Sequence, residues 1–419
     1  MGDSAHPENT LYSLSALTVF RSIREDALIA GLHEYIRFFL SLPKEESLSQ
    51  QENTTLIEGY TDLFALLSET QKSVDPSLTE HIFRVMHRSD NPFSREGARR
   101  GSTFGQIDEQ LLEAATADIR RVLMLFTFSA EPFTSRIHAE TGLSLPLWRI
   151  GETRTANDIL SQLFTHYQER GFGLFSENHA FLWKNKSLHA VQNPDPIKKS
   201  QLYSYEYEIG RIDENTRKLV MGRPAENLLL FGARGTGKSS AVKAMANTYC
   251  DRGLRLIEID KDELLTISDL LEYISGYTET RFSFILYLDD LTFVENDNRY
   301  TALKTLLEGG MKTRPKNTAI YATSNRRHLI AEKKEQELYT QDARNEKLSL
   351  SDRFGMAIRF ASPTKAEFQE IVRGILSNRG LPFDAESIDD TAAQWAMHEN
   401  GFSPRTAKQF CDYYESNLE

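Results

Sequence analysis

The residues with the clearest chemical potential lie between positions 232 and 240. Three glycines, a threonine, a lysine and two serines follow an apolar run there, in the order Gly232-Ala-Arg-Gly-Thr-Gly-Lys-Ser-Ser240. Glycines let successive backbone N–H groups turn inward and approach an anion without interference from side chains. A lysine ammonium adds a cation for the same anion, and a serine hydroxyl can ligate a divalent metal. The spacing G-x-x-x-x-G-K-[ST] therefore predicts a site for a nucleotide polyphosphate.

This turn is expected to bind ATP together with Mg²⁺. Lys238 would reach the β and γ phosphates, and the Ser239 hydroxyl would ligate the metal. A helix that begins near Lys238 would add its unsatisfied N–H groups and the positive end of its dipole. A glycine-rich turn without a ligand is the alternative. The predicted nucleotide contacts are Gly232, Gly235, Thr236, Gly237, Lys238, Ser239 and Ser240.

A second group of oxygen-bearing side chains ends another apolar run. The segment Ser283-Phe-Ile-Leu-Tyr-Leu-Asp-Asp290 has the pattern expected of a buried strand that ends in two carboxylates. Asp289 would support Mg²⁺, mostly through bound waters, because this ion dehydrates reluctantly. Asp290 would polarise the attacking water. Without the glycine-rich turn upstream, the same segment would fit a plain strand followed by a turn.

Short apolar runs that alternate with helical segments must position these residues, and this alternation is typical of a parallel sheet. After Pro363 the pattern becomes purely helical. Thr364 and Glu367 form a capping box that opens one helix, and Ser403-Pro404 opens another. The predicted strands are Asn227–Phe231, Leu254–Ile259, Phe282–Leu288, Thr318–Thr323 and Met356–Phe360.

The first part of the chain has a different texture. Apolar residues recur at helical spacing from residue 11 to about 170, and the scattered histidines and acidic residues show no ligand spacing. This pattern favours a helical packing or interaction domain. Aromatic-rich runs near Leu174-Phe175 and at Ala180–Trp183 predict a small hairpin, followed by a turn or linker at 193–196. Two helical stripes stand out: Tyr60, Leu63, Phe64 and Leu67, and Leu112, Ala115, Ile119, Val122 and Phe126.

Four segments follow from these patterns. We predict a helical N-terminal domain over 1–170, a hairpin and linker over 171–200, an α/β core over 201–362 and a helical lid over 363–419. The highly charged stretch 332–344 is expected to be a solvated loop.

Composition narrows the classes of function. The 419 residues carry a formal net charge of -11, which argues against a general affinity for nucleic acid. Local basic pairs at 99–100, 326–327 and 333–334 leave a DNA contact open. The two cysteines, Cys250 and Cys411, have no metal-ligand spacing and fit a reducing compartment. Neither a secretory leader nor an apolar run long enough for a membrane span is visible, so we expect a cytoplasmic protein.

Three downstream segments, taken with the glycine-rich turn, resemble the AAA+ ATPase module. They are the strand that ends in Asn325, the segment Leu350-Ser-Asp-Arg-Phe-Gly355 and the segment Gly401-Phe-Ser-Pro-Arg405. The resemblance implies a P-loop NTPase fold of the α/β class, with a parallel five-stranded sheet core and a C-terminal helical lid. It also implies ATP and Mg²⁺ as cofactors.

The resemblance assigns catalytic roles to three further residues. Asn325 would help to orient the lytic water, Arg353 would reach the γ-phosphate of a neighbouring subunit, and Arg405 would project from the lid onto the same phosphates. Phosphoryl transfer needs such groups because it is catalysed mainly by positioning and by cations placed on developing charge. Each residue also has a structural alternative. Asn325 could cap a loop, Arg353 could form a surface salt bridge, and Arg405 could simply occupy a first helical turn.

More narrowly, residues 171–419 resemble an uncharacterised bacterial family of single-module AAA+ ATP-binding proteins. By this resemblance, Ile209 and Gly210 would border the adenine pocket. Many AAA+ proteins have a glutamate where this chain has Asp290. Because aspartate is one methylene shorter, we expect tight binding with slow turnover.

Two functions follow, in order of preference. The first is an ATPase that remodels an unknown protein partner in a homo-oligomer, because an arginine that acts in trans needs a neighbouring subunit, and the family resemblance implies a ring. The second is an ATP-gated binding module with negligible hydrolysis. A P-loop kinase for a small molecule is a weaker third reading, since no constellation for a phosphoryl acceptor is visible.

Overall fold

The chain divides after Glu177 into two units that differ in secondary structure, Met1–Glu177 and Asn178–Glu419. The computed structural model describes residues 6–44, 46–152, 154–293, 297–308, 314–327, 329, 353–399 and 401–418. The predicted charged loop at 332–344 and the basic pair at 333–334 lie outside these residues.

The described part of the first unit is built from helices. Side-chain caps fix where they start: Asp26 accepts hydrogen bonds from the N–H groups of Leu28 and Ile29, and Ser49 forms a reciprocal capping box with Glu52. Both predicted stripes face the core, with Phe64 and Leu112 partly buried and the other members buried. The helices are α1 Pro7–Ser15, α2 Ala27–Ser41, α3 Gln50–Gln71, α4 Leu78–Arg88, α5 Pro92–Gly97, α6 Glu109–Phe126, α7 Glu131–Thr141 and α8 Ala156–Arg170.

A seven-stranded sheet forms the centre of the second unit, in the order β2-β1-β4-β5-β6-β3-β7. Every neighbouring pair is parallel except β1 and β2. Each residue of β5 and β6 is buried, as expected for central strands covered on both faces. The strands are β1 Ala180–Lys184, β2 Ser187–Ala190, β3 Leu228–Gly232, β4 Leu254–Ile259, β5 Ser283–Leu288, β6 Thr318–Ser324 and β7 Met356–Phe360.

The five predicted strands are confirmed to within one residue at each end, but the sheet is larger than predicted. The hairpin β1–β2 adds two strands, because β1 pairs in parallel with β4 and so covers an edge that would otherwise be open. Leu174 and Phe175 are not part of the hairpin and lie in a short 3₁₀ helix. The turn of the hairpin is made by Asn185 and Lys186, whose positive φ angles of 51° and 58° suit a tight two-residue connection.

Helices flank the sheet and build the lid. The lid helices α13, α14 and α15 share an apolar cluster that includes Phe368, Val372, Phe410 and Cys411. Both predicted starts are confirmed, since Thr364 forms a capping box with Glu367 and Ser403 caps the last helix. The helices of this unit are α9 Glu206–Val220, α10 Lys238–Tyr249, α11 Ile267–Ser275, α12 Asn298–Glu308, α13 Lys365–Asn378, α14 Ala385–His398 and α15 Pro404–Ser416.

Among the described residues, no helix combines the length and the apolar character that crossing a bilayer requires.

Candidate nucleotide-binding site

The glycine-rich turn connects the carboxyl end of β3 to the first residue of α10. It therefore lies at the carboxyl edge of the sheet, where the parallel strands end. Gly232 has a φ of 147°, and a Cβ atom built on it would lie 1.9 Å from the carbonyl oxygen of Phe360 on the neighbouring strand β7. No side chain fits this space without moving the backbone. The sequence thus places glycine where β3 must pass closest to β7 before the turn begins.

Lys238 lies inside the turn and is only 7% exposed. Its Nζ donates to the carbonyl oxygens of Gly232 at 2.9 Å and Ala233 at 2.7 Å. Burial lowers the pKa of this ammonium group, and the nearby carboxylates of Asp290 and Asp289 offset part of that effect. Within the part of the chain that the structure describes, these two backbone oxygens accept from the ammonium group, and an incoming anion can complement them.

The carboxylate of Asp289 is the centre of a hydrogen-bond network. Ser239 Oγ donates to its Oδ1 at 2.8 Å, and the hydroxyls of Tyr287 and Thr323 donate to the same atom at 2.6 and 2.5 Å. Loss of hydration raises the pKa of Asp289, but the hydrogen bonds from Thr323, Tyr287, Ser239 and the Asp290 N–H outweigh this and hold the pKa below its ordinary value. The group is thus kept as a carboxylate.

Asp290 adopts a left-handed backbone conformation with a φ of 48°. Its N–H donates to Thr323 Oγ1 at 2.8 Å, and its Oδ1 accepts from Asn325 Nδ2 at 2.6 Å. Arg234 of the turn lies 4.0 Å from its other oxygen. The structure thereby brings Asp289, which the sequence predicted as support for the metal, together with Asp290 and Asn325, which it predicted as catalytic.

The lid contacts the turn directly. The backbone N–H of Arg405 donates to the carbonyl oxygen of Gly235 at 3.2 Å. Gly235 has a φ of 79°, and a Cβ atom on it would lie 3.1 Å from both Arg405 Cβ and Ser403 Oγ. The first turn of α15 therefore packs on the glycine-rich turn. Arg405 also lines a cavity, described next, between the core and the lid.

A cavity of about 1300 Å³ lies between the core and the lid. Its wall combines the polar residues of the glycine-rich turn and the strand ends, called here the polar end, with apolar and aromatic side chains, called here the apolar end, that include Ile209, Tyr205, Phe360 and Ile371. Gly210 is not part of the wall. The predicted residues that line the cavity are Ile209, Gly235, Thr236, Gly237, Lys238, Ser239, Ser240, Asp289, Asp290, Asn325 and Arg405.

Charge in the cavity is opposite in sign to that of the whole chain. Six cationic side chains and three carboxylates line it, although the chain as a whole has a formal net charge of -11. The lining as a whole therefore suits an anionic ligand. The cations are Lys198, Arg234, Lys238, Arg379, Arg405 and Lys408.

Residues 195–205, which we call the strap, form a further part of the wall. Asn247 of α10 holds the strap to the core, because its Nδ2 donates to the carbonyl oxygens of Asp195 and Ile197, both at 2.8 Å. His179 Nε2 lies 2.9 Å from Asn247 Oδ1. At the other end, the Tyr203 hydroxyl donates to the carbonyl oxygen of Gly374 in the lid at 2.8 Å. The strap thus connects core and lid beside the cavity.

Arg353 is the one predicted catalytic residue that lies elsewhere. It precedes β7, whereas the glycine-rich turn follows the parallel strand β3, so the two lie at opposite edges of the sheet. Its guanidinium forms an ion pair with Glu308 at the end of α12. Within one chain, Arg353 therefore lies far from the cavity.

The donor set at the polar end fits Mg²⁺ bound together with a nucleotide. Among the described residues, no cluster of three or more histidine, cysteine, aspartate or glutamate side chains could hold a metal by itself. Mg²⁺ usually keeps several waters and takes one or two protein oxygens plus substrate phosphates. Ser239 and Asp289, whose oxygens lie 2.8 Å apart at the cavity, are the residues that would hold it.

Sequence reasoning missed several residues of the site. Tyr287 and Thr323 were read only as members of apolar strands, although each stands two positions before a predicted site residue and so faces the same side of its strand. That period of two was the available signal. Asn247 and Lys408 gave none, because a polar residue on a helix is usually a surface residue.

One protein-family model covers the region of the chain that contains this site. The model of a family described as "Protein of unknown function (DUF815)" matches residues 176–418, which is more than half of the chain. The chain belongs to this family. Its matched region has a strand, glycine-rich turn and helix in a mostly parallel sheet, followed by a helical lid, which is the arrangement that the sequence resemblance predicts.

The chain is similar to a solved structure of RuvB from Thermotoga maritima, which is described as a Holliday junction branch migration motor. The sequence identity is 13% and the TM-score is 0.38. The match covers 53% of this chain and 65% of that chain. A point variant of RuvB gives 14% identity and a TM-score of 0.39 over the same shares. The chain thus spans less than two thirds of the RuvB chains it matches. No curated protein matches the chain.

Proposed function

We propose that this protein binds ATP with Mg²⁺ between its α/β core and its lid, hydrolyses the nucleotide, and uses the cycle to remodel a protein partner. The observation that carries the proposal is the convergence of Lys238, Asp289, Asn325 and Arg405 on one cavity. These residues are far apart in the sequence, and each has the chemistry that one step of phosphoryl transfer needs.

At the polar end, the chain's own residues supply binding and orientation. The N–H groups of the turn and the Lys238 ammonium hold the β and γ phosphates. Mg²⁺, when bound, would neutralise charge that develops on these phosphates. Asp289 keeps the Ser239 hydroxyl aligned, and Asp290, which accepts from Asn325 at 2.6 Å, orients a water molecule for attack.

At the apolar end, the wall suits a purine base. Ile209 and Ile371 offer aliphatic contact, and the rings of Tyr205 and Phe360 lie 5.1 Å apart with an interplanar angle of 31°. Because Ile209 belongs to the core and Ile371 to the lid, a base between them would contact both. Release of product would then free the lid to move, which is how hydrolysis would act on a partner.

Arg353 has a role in this scheme only in a homo-oligomer. Its position at the amino edge of the sheet suits a guanidinium that reaches the nucleotide of a neighbouring subunit, in a ring or another heterologous assembly.

We also propose a cytoplasmic location, a protein client, and a division of the chain into four segments with boundaries at residues 170, 200 and 362. DNA is a less favoured client, because the chain has a formal net charge of -11 and Arg327 of one basic pair packs over the ring of Phe231 at 5.9 Å.

Steady-state phosphate release tests the proposal. Lys238→Ala should abolish phosphate release and weaken ATP binding by at least about 100-fold, since it removes a charge from the phosphate cradle. Lys218→Ala is the matched control, because Lys218 is a surface lysine that pairs with Glu214 one helical turn away. Unchanged activity in Lys238→Ala would overturn the assignment.

An ATP-gated binding module with negligible hydrolysis is the second candidate. It is favoured by Asp290, whose side chain is one methylene shorter than the glutamate of many AAA+ proteins and whose backbone is left-handed. Single-turnover measurement with Mg²⁺ and ATP separates the two functions. A rate well above background that collapses in Asp290→Asn would support hydrolysis, and a background rate in the wild type would support the binding module.

A further inference from the structure

Four hydrogen-bond donors converge on a single oxygen atom, Oδ1 of Asp289. Thr323 Oγ1 lies 2.5 Å from it, the Tyr287 hydroxyl 2.6 Å, Ser239 Oγ 2.8 Å and the Asp290 N–H 3.1 Å. A carboxylate oxygen has two lone pairs, so this atom has no capacity left for a metal or its waters. The described residues give Oδ2 of the same carboxylate no comparable set of donors.

The side-chain donors to Asp289 Oδ1 differ in how firmly their surroundings hold them in place. Tyr287 and Thr323 belong to the central strands β5 and β6 and are 0% and 1% exposed, so their hydroxyls are shielded from water, although Thr323 also borders the cavity. Ser239 belongs to the first turn of α10 and lines the cavity, where a metal would compete for its oxygen. The two buried hydroxyls therefore set the orientation of Asp289, and Ser239 is free to change partners.

We propose that Tyr287 and Thr323 are positioning residues that lock Asp289 with Oδ1 turned into the protein and Oδ2 presented to the hydration shell of Mg²⁺. Thr323 has a second task, since its Oγ1 also accepts the N–H of Asp290 at 2.8 Å and so orients the next carboxylate. One side chain thereby couples the residue that supports the metal to the residue that orients water. This inference rests on the proposed function.

A neighbouring tyrosine shows what a purely structural hydroxyl looks like in the same sheet. Tyr321 of β6 is the register partner of Tyr287 and is equally buried. Its hydroxyl contacts Asn215 at 3.1 Å and Thr216 at 2.8 Å, both on α9, and none of these three residues lines the cavity. Tyr287 and Tyr321 thus form a matched pair that differs in what the hydroxyl contacts.

The test compares ATP binding, by calorimetry on the full chain, in Mg²⁺ and in EDTA. Tyr287→Phe and Thr323→Val should each lose about 10- to 100-fold of the affinity gain that Mg²⁺ provides, the usual effect of removing a group that orients a metal ligand. Binding in EDTA should be unchanged. Thr323→Ser should retain the gain, and Tyr321→Phe should behave as the wild type. Both hydroxyls orient the same oxygen atom. In the double variant Tyr287→Phe/Thr323→Val, the fold-loss of the affinity gain from Mg²⁺ should therefore be smaller than the product of the two single fold-losses.

Kinetics give a second readout. The kcat should fall in Tyr287→Phe and Thr323→Val at saturating Mg²⁺, with Thr323→Ser restoring most of it. If Thr323→Val does not fold, Tyr287→Phe decides, since it removes one oxygen and leaves the ring in place. A full Mg²⁺ gain in Tyr287→Phe would overturn the inference and leave the proposed function standing. A wild-type protein that binds no ATP under either condition would overturn the proposed function itself.

Discussion

The two edges of the central sheet differ in how complete their chemistry is. At the carboxyl edge, the glycine-rich turn, Asp289 and Asn325 lie on adjacent strands and contact one another directly or through Asp290. At the amino edge, Arg353 pairs with Glu308 and precedes β7. The five residues of β7 put roughly 16 Å between the two edges at about 3.3 Å per residue. Under the proposed function, one chain binds the nucleotide at its carboxyl edge, whereas the arginine at the amino edge acts on a second chain.

Among variants outside the glycine-rich turn, the largest effect should come from Arg353→Ala. If this guanidinium stabilises the transition state in a neighbouring subunit, its loss should lower kcat by about 1000-fold or more with ATP affinity nearly unchanged. Phosphate release and calorimetry on the same preparation measure the two quantities.

A mixing experiment sharpens the same prediction. Arg353→Ala keeps its cavity and Lys238→Ala keeps its arginine, so mixed oligomers should recover part of the activity that each variant lacks alone. Persistent inactivity of the mixture, with assembly demonstrated by mass measurement, would contradict a role in trans.

A smaller effect is expected from Arg405→Ala at the cavity itself. Removing one cation from the site of developing charge should lower kcat by about 100-fold, with a moderate loss of ATP affinity. Arg373→Ala provides the lid control, because Arg373 pairs with Asp389 within the lid and does not line the cavity. Equal losses in the two variants would mean that Arg405 only stabilises the lid.

The smallest effect should come from Asn247→Ala, which releases the strap from α10. Two hydrogen bonds to backbone carbonyls are lost, so KM for ATP should rise by about 10-fold while kcat changes little. His179→Ala, which removes only the contact to Asn247 Oδ1, should raise KM less. A fall in kcat with constant KM would show that the strap acts on chemistry rather than on binding.

The parts of the site that could be predicted from the sequence are those in which one local pattern carries one function. The glycine-rich turn predicted its own position between β3 and α10, and apolar runs predicted the five core strands to within a residue. Asp289 and Asp290 were recognisable because two carboxylates end an otherwise apolar strand.

The remaining features depend on contacts between distant segments. Leu174-Phe175 and Ala180–Trp183 are both short apolar runs, and only the open edge of β4 decides which of them becomes a strand. Thr323 and Tyr287 suit a buried strand by composition, and their hydroxyls gain a role only where β5 and β6 pair. Asn247 contacts a segment about 50 positions earlier, which no helical pattern encodes.

The hydrogen bond from the backbone of Arg405 to Gly235 has a consequence for mutagenesis and for evolution. Main-chain atoms make it, so an alanine scan cannot detect it, and nineteen of the twenty amino acids at position 405 would keep it. Only proline, which lacks the N–H group, removes it. A mutation at position 405, in the laboratory or in evolution, can therefore change the charge that the lid presents while the lid stays anchored to the turn.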